Sequence, residues 1–353
     1  MAKVRVLVIE DSLTIRRRLV EALEGDADIE VVGEAANGEI GFDLCQKLRP
    51  DVVTLDMMMP VKTGLETTEL IMAWCPTPIL VVSASMNRGS VLSTYDALAA
   101  GALDVLDKPT GAEPEGVWEA RFRSTVKMLA RIKVVSHVRG RLESGVRARV
   151  PSGLVPLAPE PCRAIAIGAS TGGPGAVLEI LRALPADFAV PVLVVLHMGS
   201  KFGFALADWL QGLCRVPVAY AVDRQPLPPV GQPGVLVAPP DKHLILQGGL
   251  LRLTDGPERH FCRPAVDELF VSVARELGPR AAACLLTGMG RDGADGMLAI
   301  HRAGGRTIAQ DEATSVVFGM PGAAVKLGAA QQILPLGRIA DALLPLHTKS
   351  RKS

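Results

Sequence analysis

The sequence predicts an α/β protein with two domains: an N-terminal (βα)5 domain, then a doubly wound, mostly parallel α/β domain with an antiparallel hairpin. Short apolar runs alternate with helix-length segments in both halves, which is typical of parallel sheets covered by helices. The 353 residues are also too many for one ordinary domain of about 100–200 residues. Hydrophobic residues make up 48% of the chain, which is enough to form two cores.

The first half contains five βα units. The predicted strands are residues 4–9, 29–32, 52–55, 79–82 and 103–106. The predicted helices that follow them are residues 13–23, 38–48, 64–74, 89–100 and 117–135. Because a helix joins each strand to the next, we expect a parallel sheet with helices on both faces. In such a sheet the functional residues lie at the carboxyl ends of the strands.

The second half repeats this alternation with one exception. Its predicted strands are residues 164–167, 192–196, 235–237, 282–286 and 306–309. Its predicted helices are residues 175–184, 204–212, 265–277 and 293–303. The exception is a pair of segments, 244–247 and 250–253, that flank Gly248-Gly249, since two glycines suit a two-residue hairpin turn. The second sheet is therefore expected to be mostly parallel, with one antiparallel hairpin.

A change in composition marks the boundary between the domains. Residues 136–163 carry four arginines between 139 and 149, then four prolines between 151 and 161, with little periodicity. We therefore divide the chain into a first domain (1–125), a linker (126–161) and a second domain (162–348). The arginines are interpreted as a solubility feature of the linker and not as a nucleic-acid tail.

Charge, hydropathy and cysteine spacing exclude several function classes. Lys and Arg number 38 against 37 Asp and Glu, so the net charge of +1 gives no reason to expect nucleic acid as a partner. No apolar run reaches the roughly 18–20 residues of a membrane helix, and the first residues resemble a strand and not a signal peptide. Six scattered cysteines without a CxxC pair predict reduced thiols. We expect a cytoplasmic protein that is not an integral membrane protein.

Polar side chains follow the strands of the first domain. Glu10 and Asp11 follow the first strand, Asp56 the third, Ser83 the fourth and Lys108 the fifth. Parallel pairing brings these strand ends to one edge of the sheet, so three carboxylates, a hydroxyl and an amine are expected to converge. Acidic residues are common in loops after strands, but five such groups at matching strand ends indicate a functional site.

A magnesium ion suits this cluster, because Mg²⁺ prefers oxygen ligands and offsets the repulsion between carboxylates. We expect Glu10, Asp11 and Asp56 to hold the ion. With Mg²⁺ on one side and Lys108 on the other, the charge of a phosphoryl group on Asp56 is neutralised. Ser83 is expected to bond a phosphoryl oxygen and to sense the group.

The first domain resembles response-regulator receiver domains in three motifs: EDS near the start, LDMMMP around the acceptor, and KP after the fifth strand. The resemblance implies phosphorylation of Asp56 by a sensor histidine kinase. The acidic pair is Glu10-Asp11 where Asp-Asp is commoner, and this change keeps the charge. Lys62-Thr63 stands where a Met-Asp pair is usual, beside the predicted metal site.

A second candidate site begins at Ser170, within Gly-Ala-Ser-Thr-Gly between a strand and a helix. This pattern is typical of a nucleophile elbow, in which glycines permit a turn that exposes the serine hydroxyl. The rival interpretation is a dinucleotide-binding loop, which requires a catalytic Tyr with a Lys four residues later. Tyr95 and Tyr220 are followed at that spacing by Ala99 and Arg224. A phosphate-binding loop is excluded because no Gly-Lys-Ser/Thr follows.

A serine nucleophile needs a base, and His197 is the best placed of the six histidines. It alone directly follows an apolar strand, and adjacent parallel strands would place it on the same edge as Ser170. Asp292 follows a glycine-rich loop at another strand end, where it suits either a helix N-cap or the third member of a triad. Asp295 is the competing carboxylate, but it lies one turn into the helix and should face away.

The second half resembles the catalytic domain of the chemotaxis protein-glutamate methylesterases, the CheB family. The shared motifs are GASTGGP, LHM, APPDKHL, RPAVDELF, LLTGMGRDGADGM and AGGRTIAQDEATSVVFGMP. With a receiver and linker in front, the resemblance covers the full length. It implies a triad of Ser170, His197 and Asp292, and it places Thr171 and Met289 beside the nucleophile and the oxyanion site.

The resemblance also implies an activity: a phosphorylation-activated serine hydrolase that demethylates glutamate methyl esters on chemoreceptors in chemotaxis adaptation. Glutamine deamidation would be a second activity, and the hydrolase site would need no cofactor. Leu196, where Gln is frequent, and Cys262, where His is frequent, depart from the pattern outside the triad. Two alternatives stay open: the same enzyme in a paralogous chemosensory pathway, and a module that binds a partner without catalysis.

Overall fold

The fold is described from a computed structural model. The structure describes residues 2–84, 88–109, 114, 116–132, 161–198 and 200–346. Most of the predicted linker, including its arginines, lies outside these residues. In the part of the chain that is described, no helix is long and apolar enough to cross a bilayer.

The first domain is the predicted (βα)5 unit. Its elements are β1 (Val4–Ile9), α1 (Leu13–Glu24), β2 (Ile29–Ala35), α2 (Gly38–Leu48), β3 (Val52–Leu55), α3 (Gly64–Trp74), β4 (Ile79–Ser83), α4 (Arg88–Ala99), β5 (Asp104–Asp107) and α5 (Val117–Leu129). The strands pair in parallel in the order β2-β1-β3-β4-β5. Consecutive residues of β1, such as Leu7 and Val8, are both fully buried, as expected for a sheet covered on both faces.

Local side-chain bonds fix where several helices begin. Ser12 caps α1 by accepting from the Ile15 N–H. Thr63 begins α3 with a capping box, in which its hydroxyl accepts from the Glu66 N–H and the Glu66 carboxylate accepts from the Thr63 N–H. Thr63, one of the departures from the receiver pattern, therefore has a structural role at the start of this helix.

Helix α5 is shorter than predicted, since it ends at Leu129 where the sequence suggested residue 135. Its buried face consists of Trp118, Phe122, Val126 and Leu129, and the described chain after it continues in a turn. Ala130 and Ile132 still pack against the core of the domain, but they do so from the turn that follows the helix.

The second domain is built on a parallel sheet of seven strands. Its main elements are β6 (Ala164–Ala169), α6 (Gly173–Ala183), β7 (Val192–Leu196), α7 (Ser200–Gly203), α8 (Leu206–Leu213), β8 (Val218–Tyr220), β9 (Gln225–Pro226), β10 (Val235–Val237), β11 (His243–Gln247), β12 (Leu250–Thr254), α9 (Val266–Leu277), β13 (Ala281–Leu285), α10 (Ala294–Arg302), β14 (Arg306–Gln310), α11 (Met320–Lys326), β15 (Gln332–Leu334) and α12 (Leu336–Leu343). The sheet order is β15-β14-β13-β6-β7-β10-β8.

The predicted hairpin is present, with Gly248 and Gly249 at positive φ in its turn. It does not join the main sheet, because β11 and β12 form a separate three-stranded sheet with β9. The strands β8, β9 and β15 and the helices α7, α11 and α12 were not predicted. They are short elements that depend on the sheet edges and helices already in place around them.

The two domains pack directly on each other, and α4 of the first contacts α6 and α8 of the second. The Tyr95 ring stacks on Trp209 with centroids 5.0 Å apart, and its hydroxyl donates to the Phe202 carbonyl at 2.9 Å. The Trp209 indole N–H donates to Asp96 at 3.0 Å. Tyr95 and Trp209 are both buried, so one hydrophobic cluster runs across the interface.

Candidate active site and phosphoacceptor site

Ser170 lies in the turn between β6 and α6. Gly172 has φ +75°, a conformation that residues with a side chain rarely adopt. The Ser170 N–H donates to the Thr287 carbonyl at 3.0 Å, and the Ser170 carbonyl accepts from Gly173 at 2.6 Å. A Cβ on Gly288 would lie 2.8 Å from the Cβ of Ser170, so the loop after β13 approaches the serine this closely only with glycine. The backbone of the elbow is thus held from both sides.

His197 directly follows β7, the neighbour of β6 in the sheet. Ala169 pairs with Leu196, and the His197 N–H donates to the Ala169 carbonyl at 3.1 Å. Ser170 and His197 therefore follow two paired residues on adjacent strands, as the sequence predicted. The imidazole is 11% exposed.

Asp292 follows β13, which borders β6 on its other side. Its Oδ2 atom lies 2.8 Å from Nε2 of His197. The carboxylate also accepts two backbone N–H groups from the start of α9, from Val266 at 2.7 Å and from Asp267 at 2.9 Å. Asp292 does not cap α10, whose N-cap is Gly293. It is instead fixed by the first turn of α9, which suits an anion.

Asp295, the competing carboxylate, takes no part in this cluster. It pairs with Arg291 at 2.9 Å, and its side chain is 39% exposed. Asp295 lies in the first turn of α10, where its side chain pairs with Arg291.

The ion-pair partners shift each other's pKa. Burial lowers the pKa of His197, but the hydrogen bond and the charge of Asp292 outweigh burial and raise it to about 9. Burial raises the pKa of Asp292, but the bond from His197 and the two backbone N–H groups hold it below its usual range. Asp292 is therefore a carboxylate that favours the imidazolium form of the ring.

Nδ1 of His197 is the nitrogen left for Ser170, since Nε2 faces Asp292. Within the described residues, no hydrogen bond joins the Ser170 hydroxyl to His197. Nδ1 lies instead 3.6 Å from the sulfur of Cys262, a residue that the sequence marked only as a departure from the family pattern. Catalytic hydrogen bonds are often long without substrate, so the adjacency of the three strand ends is the stronger observation.

Thr171 and Met289 flank the serine. Thr171 follows it in the elbow, and Met289 follows Gly288, whose backbone approaches Ser170. Neither backbone N–H has an acceptor among the residues that the structure describes. The N–H after the nucleophile is the usual first donor of an oxyanion hole, so this pair is available to bind a developing negative charge.

The first domain contacts the nucleophile loop itself. The Leu103 carbonyl accepts from the Gly172 N–H at 3.0 Å, and Asp104 accepts from the Thr171 hydroxyl at 3.0 Å. A cleft of about 810 Å³ between the domains is lined by both of them. The sequence analysis missed this contact. Its one signal was a charged residue, Asp104, inside an otherwise apolar predicted strand.

The structure brings Glu10, Asp11, Asp56 and Lys108 together at one edge of the first sheet. Lys108 Nζ lies 2.8 Å from Glu10 Oε2 and 3.0 Å from Asp56 Oδ2. Carboxylate oxygens of Glu10, Asp11 and Asp56 lie within 4.8 Å of one another. The buried Ser83 hydroxyl has no hydrogen-bond partner among the described residues, which leaves it free to bond an added group. An all-oxygen set of this kind suits a hard divalent cation.

Charge in this cluster is only partly compensated. Burial raises the pKa of Asp56, although Lys108 opposes the shift. Burial and the charge of Asp56 raise the pKa of Glu10 to about 7. Burial lowers the pKa of Lys108, but Glu10 and Asp56 outweigh burial and raise it overall, so the amine stays cationic. One ammonium does not neutralise three carboxylates, which is the imbalance that a bound cation corrects.

Two family models match the chain. The model described as CheB methylesterase matches residues 165–343, and the model described as Response regulator receiver domain matches residues 6–114. The first match contains Ser170, His197 and Asp292, and the second contains the cluster around Asp56.

Relatives match nearly the whole chain. Protein-glutamate methylesterase/protein-glutamine glutaminase 2 of Anaeromyxobacter dehalogenans (strain 2CP-C) is 43% identical over 343 residues, which cover 97% of each chain. The protein-glutamate methylesterase/protein-glutamine glutaminase of Nitrosospira multiformis is 42% identical over 351 residues, again 97% of each chain. The solved catalytic domain of Thermotoga maritima CheB methylesterase is 36% identical with a TM-score of 0.50, covering 52% of this chain and 98% of that one.

Asp292→Asn should slow ester hydrolysis by roughly 10³–10⁴-fold, because an amide cannot compensate an imidazolium and favours the wrong tautomer. Asparagine keeps one oxygen for the two backbone N–H groups of α9, so a modest loss of about 1 kcal/mol in the free energy of unfolding should accompany it. Methanol release from a methylated protein substrate, measured on folded enzyme, checks the rate.

Asp295→Asn is the matched control, since it changes a nearby carboxylate that pairs with Arg291. It should leave the rate near normal. Ser170→Ala and His197→Gln should each abolish most activity, and the double variant should be little worse than either, because a triad acts as one unit. A large loss for Asp295→Asn beside a near-normal Asp292→Asn would show that the other carboxylate orients the base.

Activity should rise with pH through the neutral range. His197 accepts a proton only when neutral, and its pKa is raised to about 9, so the active fraction grows until that pH and then levels off. Asp292, whose pKa is lowered, stays ionised throughout this range. The pH profile of kcat/KM measures this directly, and a profile that is flat across the neutral range would contradict a protonated resting base.

Proposed function

This chain belongs to the CheB methylesterase family, and we propose that it is a serine hydrolase that removes methyl groups from glutamate methyl esters of chemoreceptors. The observation that carries the proposal is the placement of Ser170, His197 and Asp292 at the ends of three adjacent strands, with Asp292 bonded to His197 at 2.8 Å. Deamidation of glutamine follows from the same chemistry, with ammonia leaving in place of methanol.

The first half of the reaction forms an acyl-serine. Nδ1 of His197 accepts the hydroxyl proton as Ser170 Oγ attacks the ester carbonyl carbon. The imidazolium that results is stabilised by Asp292 through Nε2. The ring then returns the proton from Nδ1 to the methoxide, the ester bond breaks, and methanol leaves.

Negative charge on the carbonyl oxygen is held by the backbone N–H groups of Thr171 and Met289. Both belong to loops fixed near Ser170, one by the elbow and one by the close approach of Gly288. Preorganised donors of this kind do not have to rearrange as charge develops, which is why each contributes strongly to the rate.

Water completes the cycle. His197 takes a proton from water as its oxygen attacks the acyl carbon, and then returns it to Ser170 Oγ as the acyl bond breaks. The product is a carboxylate, so each turnover adds one negative charge to the receptor surface. Every step uses side chains and backbone of the second domain.

The first domain is the control element. Asp56 takes a phosphoryl group from a sensor histidine kinase, with Glu10 and Asp11 completing the metal site. Mg²⁺, when bound, neutralises the charge of the transferring phosphoryl group. Lys108 is placed to pair with the phosphoryl group, and Ser83 to bond one of its oxygens. Because kinase and receptor signalling regions act in the cytoplasm, we place the chain there.

Docking of the first domain restrains the hydrolase in this proposal. Leu103 and Asp104 bond the nucleophile loop, and Tyr95 stacks on Trp209 beside it. These contacts cover the approach to Ser170 and hold the elbow from outside. Phosphorylation raises activity by weakening them, so the two sites communicate by docking and not through shared residues.

Asp56→Asn should abolish Mg²⁺-dependent labelling by a small phosphodonor such as acetyl phosphate, because the amide is not a nucleophile for phosphorus. Asp43→Asn, an exposed aspartate on α2, is the control and should label normally. Removing the metal with a chelator should stop labelling of the wild type as well. Undiminished labelling of Asp56→Asn would place the acceptor elsewhere.

A fragment that begins at Pro161 should hydrolyse the ester faster than the unphosphorylated full chain, because it lacks the covering domain. The homologous Thermotoga maritima domain has been solved by itself, which supports folding of such a fragment. In the full chain, Tyr95→Ala should raise basal activity by removing the stack on Trp209.

Trp74→Ala provides the matched control in the same domain, since Trp74 is 68% exposed. It should leave basal activity unchanged. The docking model is wrong if the fragment is as slow as the full chain and phosphodonor does not accelerate the latter.

A further inference from the structure

We propose that Cys262 is a positioning residue for His197, whose thiol bonds Nδ1 and holds the imidazole in the tautomer that the reaction needs. The inference rests on the proposed function, because it takes His197 as the base. Its starting observation is independent of that function: the Cys262 sulfur lies 3.6 Å from Nδ1, within reach of an S–H···N hydrogen bond.

The bonds of Asp292 decide which nitrogen of the ring carries the proton. Asp292 already accepts N–H groups from Val266 and Asp267, and a carboxylate has no proton to donate. Its contact with Nε2 at 2.8 Å is therefore a bond donated by the ring. In neutral His197, Nδ1 is then the unprotonated nitrogen and accepts a hydrogen bond from the partner that faces it.

Cys262 is the described partner of that nitrogen. Its thiol is a donor that matches the acceptor on Nδ1, so the pair favours the Nε2–H tautomer from the other side of the ring. The Ser170 hydroxyl makes no such bond among the described residues. A thiol is a weak donor, so it holds the ring at rest and yields the nitrogen to Ser170 when substrate is bound.

A tight turn specifies the position of Cys262. Arg259 and Cys262 exchange two backbone hydrogen bonds at 3.1 and 3.0 Å across the turn. The two residues between them, His260 and Phe261, have φ angles of +53° and +60° although neither is glycine. Such strain persists only where neighbouring contacts determine the conformation.

Those neighbouring contacts come from α9. Asp267, fully buried, lies 3.4 Å from Arg259 and 3.0 Å from His260, and Arg259 also bonds Glu268 at 3.0 Å. The helix that fixes Asp292 through its N–H groups thus fixes the Cys262 turn through its side chains. The ring is held between two partners that one helix positions.

Several charged groups face this pair, and the test must separate them from Cys262. Asp292 bonds Nε2, while Asp267, Arg259 and His260 form the ion-pair group behind it. Replacing Cys262 leaves all four in place. A change in the titration of the ring is then assignable to the sulfur.

The first measurement follows the imidazole by ¹⁵N NMR in the histidine-labelled full chain, with His197→Gln to assign the signal. Wild-type His197 should titrate near 9. Cys262→Ala should raise the midpoint and weaken the preference for the Nε2–H tautomer, because the S–H···Nδ1 bond stabilises the neutral ring and is lost. Cys262→Ser, which keeps a donor on the same side, should restore the tautomer preference.

The second measurement is the pH profile of methanol release. Cys262→Ala should move the rising limb to higher pH and reduce the high-pH plateau of kcat by roughly fivefold, the effect of one lost neutral hydrogen bond. Cys262→Ser should regain most of the plateau. Cys214→Ala, a half-buried cysteine at the end of α8, is the matched control and should change neither.

The outcomes separate the two proposals. A Cys262→Ala variant that matches Cys214→Ala in both the NMR midpoint and the kcat plateau overturns the role of Cys262. A wild type that releases no methanol while its ring titration still responds to Cys262→Ala overturns the proposed function and supports the positioning role.

Discussion

The pairing of β6 with a parallel strand on each side is the constraint on which the hydrolase site depends. Ala169 pairs with Leu196 in β7, and Gly168 pairs with Leu285 in β13. These registers bring the ends of three strands to one edge, where three short loops carry the serine, the base and the carboxylate. Because side chains alternate in direction along a strand, a slip of one residue would exchange the side chains that pack on the two buried faces of the sheet, so packing of the core fixes the register. Core packing therefore fixes the relative positions of the three candidate catalytic residues.

Strand β5 connects the two sites physically. Asp104 at its start bonds the nucleophile loop, and Lys108 just beyond its end bonds Asp56 and Glu10. A strand rises about 3.3 Å per residue, so these contacts lie roughly 13 Å apart on one stiff element. In the proposed regulation, a phosphoryl group on Asp56 that repositions Lys108 would act on the same strand that bonds Thr171. A change at the first site could therefore reach the nucleophile loop through β5, although the two sites share no catalytic residue.

Sequence patterns predicted the parts of the structure that depend on local periodicity and on strand order. The five βα units, the parallel second sheet and the convergence around Asp56 all follow from apolar runs that end in polar residues. The interface was not predictable in this way. Tyr95 lies on α4, which carries no distinct apolar stripe because opposite sides of that helix are buried by different domains. Only the packed structure shows which surface of the helix meets Trp209.

The turn that carries Cys262 was hidden from the sequence for a different reason. Its two positive-φ residues are a histidine and a phenylalanine, so no glycine marks it. Asp292 was likewise interpreted as a possible cap for the helix that follows it. Its carboxylate oxygens instead accept N–H groups at the start of α9. Both cases involve tertiary contacts that outweigh local preference, and both lie at the candidate catalytic site, where such exceptions concentrate.

An interaction that orients His197 also keeps it protonated. Asp292 and Cys262 hold the ring in place, and Asp292 raises its pKa to about 9. At a pH two units lower, only about 1% of the enzyme carries a neutral base. In the proposed mechanism, Asp292 also stabilises the imidazolium formed during turnover, so part of what is lost in the resting state is recovered in the transition state. Any group that bonds Nδ1 therefore affects both the fraction of neutral His197 and the stability of its imidazolium form. A residue outside the triad can change the rate in this way.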